Sequence, residues 1–415
     1  MSGDEVLSKC LQSECRISQE TIATDLNKLS NIALQAYLRE HNCRQCLDHD
    51  KRRKTENVEY IARRVATGTI MSDRNTFRVV TDFMTDTDLD RLSRSNQTLH
   101  DRVDPILIPR RTWGPEVLGW SRERRNMVKS MRIDEMDRPL ERGQLPANLV
   151  HLEFGDKFNQ PVARGVLPPS LTHLEFGNRF NQPFQDVLSN LSNLTQLKFG
   201  NMFNQPFQDV LLNLSNLTQL QIGNMFNYPL TPGTLPPSLT HLRFGKYSEF
   251  NQPLTPGALP PSLTHLRFGK YSEFNKSLAQ GILPPSLTHV EFGYHFNRPL
   301  NQGVLPPSLT HLEFGWDFNQ PLARGILSNL TNMTHLDLGG FNKPLNRDVL
   351  PPRLIHLQLL LFNRPLVSGV LPPRLTHLYL GLDFNHPLDQ DVLPPNLHLH
   401  LKYKYPNHGA EDVSD

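Results

Sequence analysis

Seventeen residues, LPPSLTHLEFGNRFNQP at 167–183, return in near-copies at 235, 259, 283, 305 and 371. A fixed internal period constrains a chain more than any single motif, because each copy must fold the same way and stack on its neighbours. With the Phe-Asn pair as the mark, copies fall at Phe158, Phe180, Phe203, Phe226, Phe250, Phe274, Phe296, Phe318, Phe341, Phe362 and Phe384, spaced by 21 to 24 residues. A worn copy, MDRPLERGQLPANL, puts Met136 and Asp137 in the Phe-Asn places 22 residues earlier, so the array is expected to start near Val128.

Within a unit the apolar positions run Leu171, Leu174, Phe176 and Phe180, and later units write Leu338, Leu359 and Leu380 in the Phe176 place. The alternation in THLEF predicts a short strand with Leu174 and Phe176 on one face and His173 and Glu175 on the other. Gly177 ends it, and Pro183 prevents the ladder from extending. Pro168 and Pro169 disfavour helix on the return side, which is expected to be extended or turn-rich. Three units replace the Pro-Pro line with LSNLSNLTQL, LLNLSNLTQL and LSNLTNMTHL. One strand and one return cannot bury four large apolar side chains, whereas stacked units can. Strands about 4.8 Å apart would make a dozen units a slab of roughly 55–60 Å. Length varies only at the GKYSE loop after the strand and at the return, where a solenoid tolerates insertions.

The frame L-x-x-L-x-F-x-x-x-F-N, extended as FNQPL…LPPSLTHLEFG, resembles the FNIP repeat, a leucine-rich-repeat relative, over about 128–401 in eleven copies. Ser277 departs from it, standing where the other ten Phe-Asn copies have Pro, which puts the turn there in question. Asn181 and its equivalents are expected to be buried beside the Phe and to satisfy backbone groups of the neighbouring unit, a scaffold role rather than a binding one.

Two columns face outward along the strands. The first is His151, His173, Gln196, Gln219, His241, His265, His289, His311, His335, His356 and His377. Imidazole is a common metal ligand, but a ladder supplies parallel rather than convergent ligands, so stacking and mutual hydrogen bonding are preferred here over metal. The second column varies: Glu153, Glu175, Lys198, Gln221, Arg243, Arg267, Glu291 and Glu313, then Asp337, Gln358 and Tyr379. Positions free to vary above a fixed core can encode a partner, so Glu153 to Glu313 are the candidate partner-binding residues. No nucleophile with its base and no Gly-rich phosphate loop stands out from the repeated wording, which argues against an enzyme and implies no cofactor.

Residues 1–127 lack the repeat. In FRVVTDFMTDTDLDRLSRSNQTLHDRV, 77–103, Val80, Phe83 and Met84 precede a turn at TDTD, and Leu89, Leu92 and Leu99 follow it, with Thr87 or Asp88 available to cap the second helix. This spacing resembles the middle of an F-box, with NTF in place of the usual Leu-Pro opening, and a plain helical hairpin is the alternative. The resemblance implies docking to a Skp-type adaptor of a cullin ubiquitin ligase. Cys10, Cys15, Cys43 and Cys46 have spacings compatible with zinc, although ordinary reduced cysteines on helices are preferred. KRRK at 51–54 and the Arg-rich 122–125 lack any aromatic or fold signature of nucleic-acid binding.

The expected fold class is therefore α+β: a helical region with four cysteines over 1–76, F-box-like helices and a basic linker over 77–127, a leucine-rich-repeat-like β solenoid of about 12 units over 128–401, and a polar tail over 402–415. A net charge of +2 gives no global reason to invoke nucleic acid or an acidic membrane. No apolar run approaches the roughly 18 residues of a membrane span, MSGDEVLSKC lacks signal-peptide character, and the cysteine distribution fits a reducing compartment, cytoplasmic or nuclear. The expected function is a non-enzymatic adaptor that docks the Skp-type subunit through one region and holds a protein target on the repeats. The alternatives are a stand-alone scaffold and, less favoured, a protein binding zinc and nucleic acid.

Overall fold

The computed structural model describes residues 112–402 apart from 135, 137, 185, 186, 208 and 209. The expected helical region, the F-box-like residues Val80, Phe83, Met84, Leu89, Leu92 and Leu99, the four cysteines, KRRK and positions 403–415 lie outside the described residues. The chain divides into two units at Ser130/Met131. In the described part of the first are strand β1 (Thr112–Trp113), a 3-10 turn (Pro115–Gly119) and a one-turn helix, α1 (Arg122–Arg125). The Ser121 hydroxyl caps α1 by accepting the Arg124 N–H at 3.4 Å.

The second unit is the solenoid. Its first residues, Met131 to Ile133, belong to β2 (Ser130–Ile133), where Met131 and Ile133 are fully buried, so the array begins beside the expected Val128. Then come β3 (His151–Phe154), β4 (His173–Glu175), β5 (Gln196–Lys198), β6 (Gln219–Ile222), β7 (His241–Phe244), β8 (His265–Arg267), β9 (His289–Glu291), β10 (His311–Glu313), β11 (His335–Asp337), β12 (His356–Leu359), β13 (His377–Gly381) and β14 (His398–Lys402). β3 to β14 are parallel, each paired with the next in chain order and with equivalent residues in register. Twelve strands thus make about twelve turns.

The core follows from the repeat. Leu171, Leu174, Phe176 and Phe180 are buried, and Phe rings of successive units stack in a column, Phe180 to Phe203 at 6.4 Å and Phe250 to Phe274 at 6.0 Å between centroids. The Pro-Pro return is a tight turn in which the Pro168 carbonyl accepts the Leu171 N–H. In the three Pro-free units the carbonyls of Leu191, Leu214 and Leu330 accept the N–H groups of Leu194, Leu217 and Met333 in the same turn, so the two wordings share one backbone. Gly177 passes so close to the preceding unit that a Cβ there would lie 2.1 Å from the Gly155 carbonyl oxygen, which is why glycine closes the strand.

The Asn ladder is present, but its location differs from the expectation. Asn159 Oδ1 accepts the Asn181 N–H at 3.0 Å, Asn181 Oδ1 accepts that of Asn204 at 2.9 Å, and the series continues to Asn385. These side chains are half-buried or exposed rather than buried. They bridge turn backbones along the rim, where the Phe points inward and the Asn beside it cannot. The ladder runs unbroken through the unit with Ser277: Asn275 N–H meets Asn251 Oδ1 at 3.0 Å, and Asn297 N–H meets Asn275 Oδ1 at 3.1 Å. Pro at that place is therefore dispensable to the turn.

Candidate functional site: the outward face of the strands

Parallel in-register pairing turns a sequence column into a physical row. Glu153 pairs with Glu175, Glu175 with Lys198, Lys198 with Gln221, Gln221 with Arg243, Arg243 with Arg267, Arg267 with Glu291, and Glu291 with Glu313. All eight candidate partner-binding residues thus lie in one row on the outward face.

The row is not a set of independent charges. Lys198 Nζ lies 2.7 Å from Glu175, Arg267 Nε lies 3.5 Å from Glu291, and Arg132 Nη1 reaches Glu153 at 2.6 Å. The expected basic centre is therefore ion-paired at both of its boundaries, with Gln221 and Arg243 between. Such exposed pairs contribute on the order of 0–1 kcal/mol each. Their consequence is to fix where charge is already matched. Glu313 is open to water yet crowded on the strand face. Desolvation, then the Asp337 and Glu291 carboxylates, push its pKa up to about 8. The like-charge contribution is the part the register secures, since Asp337 and Glu291 are its direct neighbours on either side.

The imidazole column stacks as expected. Ring centroids are 4.2 Å apart from His241 to His265, His265 to His289, His289 to His311 and His311 to His335, then 4.4 and 4.3 Å on to His377. Mutual hydrogen bonding between the rings is not what holds them. Seven of the rings, all but His151 and His356, are held by the Thr before them, a column the sequence reasoning passed over. The Thr264 hydroxyl lies 3.0 Å from the Thr240 carbonyl and 2.8 Å from His265 Nδ1, and Thr172, Thr240, Thr288, Thr310, Thr334 and Thr376 repeat the arrangement.

A hydroxyl has one proton. If it went to Nδ1, the Thr oxygen and the carbonyl oxygen would face each other lone pair to lone pair. Donation to the carbonyl leaves the hydroxyl to accept from Nδ1–H, so the neutral rings carry their proton on Nδ1 and turn an unprotonated Nε2 away. Desolvation lowers the pKa of His173, His241, His289, His311, His335, His356 and His377, with neighbouring cations or imidazoles adding, and lowers that of His265 to about 4. Each of these eight rings is thereby biased toward its neutral form. Among the described residues no group of His, Cys, Asp and Glu converges as a metal site would require.

A second surface flanks the row at the rim. In the two units with the GKYSE loop, Ser248 and Ser272 are fully buried and accept the N–H groups of Phe250 and Phe274. This turns Tyr247 and Tyr271 outward, stacked at 5.1 Å, with Lys246 and Lys270 over their faces. Among the described residues no helix is long and apolar enough to cross a membrane.

Comparison with known proteins agrees with this geometry. The FNIP Repeat matches residues 136–179, 158–188, 215–247, 250–295, 274–317, 296–329, 318–360 and 362–401. Among solved structures, CroV588, described as a novel circular LRR protein, is similar at 38% identity and a TM-score of 0.59, over 66% of this chain and 43% of that one. The chain thus spans less than half the length of that protein. The mouse RP105/MD-1 complex is similar at 18% identity and a TM-score of 0.52, over 67% of this chain and 52% of that one, a likeness of fold alone. A search of curated proteins gives no match. With the repeat matched over more than half its length, the chain belongs to the FNIP repeat family, and its fold is a repeat scaffold of the leucine-rich-repeat type.

Proposed function

We propose that the chain is a non-enzymatic protein-interaction scaffold whose outward strand face binds a protein partner. The observation that carries this reading is the row itself: a core kept apolar throughout and Thr and Asn ladders that hardly change hold a column that changes from unit to unit between Glu, Lys, Gln, Arg, Asp and Tyr. A structural role alone would let that column repeat as the others do. The face is long, polar and regular, and among the described residues it brings no catalytic constellation together.

The finer reading is a substrate-recognition subunit of a cullin-type ubiquitin ligase in a reducing compartment. In it the F-box-like residues Val80, Phe83, Met84, Leu89, Leu92 and Leu99 dock a Skp-type adaptor while the repeats hold the target. What supports it is the apolar spacing around DFMTDTDLDRL ahead of a repeat array. A stand-alone scaffold is the alternative. Co-purification with a Skp-type adaptor decides between them: capture by the wild-type chain and loss on replacing Phe83 and Leu89 by Ala supports the ligase reading. Absence of the adaptor from the wild-type preparation leaves the scaffold.

A further inference from the structure

The position after each ladder Asn changes character halfway along the array. In the five copies from Phe158 to Phe250 it is Gln, except for Tyr228, and carries no charge. In the next five it reads Lys276, Arg298, Gln320, Lys343 and Arg364. The Asn ladder sets these residues in a row, because the N–H groups of Asn275, Asn297, Asn319, Asn342 and Asn363 each meet the Oδ1 of the preceding unit at 2.9 to 3.1 Å. With units about 4.8 Å apart, four cations occupy a line of about 19 Å. Gln at this position has a structural task, shown by Gln320 Nε2, which donates to the Asn297 carbonyl at 3.2 Å. Arg298 and Arg364 reach the equivalent carbonyls, of Asn275 at 2.9 Å and Asn342 at 3.2 Å, through Nε alone, and both side chains are exposed. Among the described residues none of the four cations has an ion pair. The acids of the same stretch are engaged elsewhere. Off the strand face they are Asp317, 2.8 Å from His295 Nδ1, and Asp348, 3.7 Å from Arg324. The others, Glu291, Glu313 and Asp337, lie together in the strand row, so opposite charges occupy two separate columns of these units.

We propose that this row is a second interaction surface, and that it receives an extended acidic segment of a protein with Asp or Glu at alternate positions. Side chains on one face of an extended segment repeat every two residues, about 6.8 Å, so four of them span about 20 Å. The row offers about 19 Å. Gln320 keeps its bond to Asn297 in the middle, which leaves the cations as two pairs, and the long Lys and Arg stems absorb offsets of about 2 Å. The guanidinium Nη groups not used on the Asn carbonyls present donors to a carboxylate. A single-stranded nucleic acid also carries a line of charge, but such strands are held by aromatic rings interleaved with the cations. From Lys276 to Arg364 the column has none. The surface lies outside the strand row, so the proposal stands independently of the strand-face reading.

The test titrates the full chain by calorimetry at low salt with two synthetic peptides: one alternating Ser and Glu with four Glu in all, and one of the same composition with its four Glu contiguous. The alternating peptide is expected to bind with a Kd of about 0.3 mM and the contiguous one about threefold more weakly. Raising ionic strength to about 0.15 M, where charges are screened over about 8 Å, is expected to weaken the first about tenfold. Lys276→Gln, Arg298→Gln, Lys343→Gln and Arg364→Gln together install the residue the column uses elsewhere. The unfolding temperature is therefore expected to hold while peptide affinity falls at least about tenfold. Lys343→Gln with Arg364→Gln alone is expected to lose about threefold. No binding up to about 5 mM peptide, undiminished binding by the fourfold variant, or equal affinity for the two peptides overturns the proposal. An oligouridylate with four phosphates that binds the wild type at least about tenfold tighter than the alternating peptide, and is lost in the fourfold variant, would also overturn it and make the row a nucleic-acid surface.

Discussion

The Thr264 hydroxyl accepts a hydrogen bond from Nδ1 of His265 at 2.8 Å while donating to the Thr240 carbonyl of the preceding unit at 3.0 Å. One small side chain thereby sets a tautomer, orients a ring and ties two repeats together. Replacing Thr264 with Val keeps the β-branched shape and removes both bonds. The array is expected to lose about 1–2 kcal/mol, as typical for two hydrogen bonds of about 0.5–1.5 kcal/mol each. Chemical denaturation measures the loss. Nitrogen NMR of the wild-type imidazoles is expected to show Nδ1 protonated and Nε2 bare at neutral pH, and the opposite tautomer would contradict the arrangement.

The same column makes stability depend on acid. Desolvation holds the His265 pKa at about 4 against an ordinary 6.5, and its neighbours are lowered as well. A depressed folded-state pKa means the unfolded chain takes up protons first. The contribution is present above about 6.5 and is lost as pH falls toward about 4. Thermal unfolding followed from pH 7 to 4 is expected to show a steep fall in Tm, and His265→Gln with His289→Gln, the residue used at Gln196 and Gln219, is expected to flatten it. Equal slopes for variant and wild type would show that the column does not carry the effect.

Asp348 is strained by its place in the repeat. It has φ of 62°, where equivalent turns carry glycine at positive φ, as at Gly325 and Gly369. Its ion pair with Arg324, 3.7 Å long between exposed groups, offsets little. Asp348→Gly is therefore expected to raise stability by about 0.5–1 kcal/mol, the relief of a left-handed residue less the entropy of glycine. A lower unfolding midpoint in the variant would show that the Asp side chain holds that turn.

Much of this was legible in the sequence because the repeat repeats its physics. Leu171, Leu174, Phe176 and Phe180 announced the core, and the alternation in THLEF announced which residues face out. Register followed as well, since copies of one line can pair only with their equivalents. What the sequence concealed was pairwise. Nothing in the columns showed that Lys198 lies on Glu175 or Arg267 on Glu291, since both depend on rotamers across a strand gap. The Thr residues of the SLTH line were hidden by their own constancy, appearing as part of the wording until distances to carbonyl and imidazole gave them a task. The Asn of the Phe-Asn pair was assigned the right partner and the wrong depth, because a side chain next to a buried Phe need not share its direction.

The central claim is that the varying column on the strand face selects the partner, and a comparative capture experiment tests it most directly. The full wild-type chain and the Arg243→Glu, Arg267→Glu variant are used as bait in parallel, with captured proteins quantified by mass spectrometry and both baits checked for equal unfolding temperature. A third bait replaces the GKYSE loops at 245–249 and 269–273. The expected result is one set of proteins held by the wild type, depleted about tenfold by charge reversal, retained by the loop variant, and released progressively as salt screens exposed charges beyond about 10 Å at 0.1 M. Identical capture by wild type and charge-reversed chain, with loss confined to the loop variant, would contradict the claim and move the binding surface to the Tyr247 and Tyr271 rim.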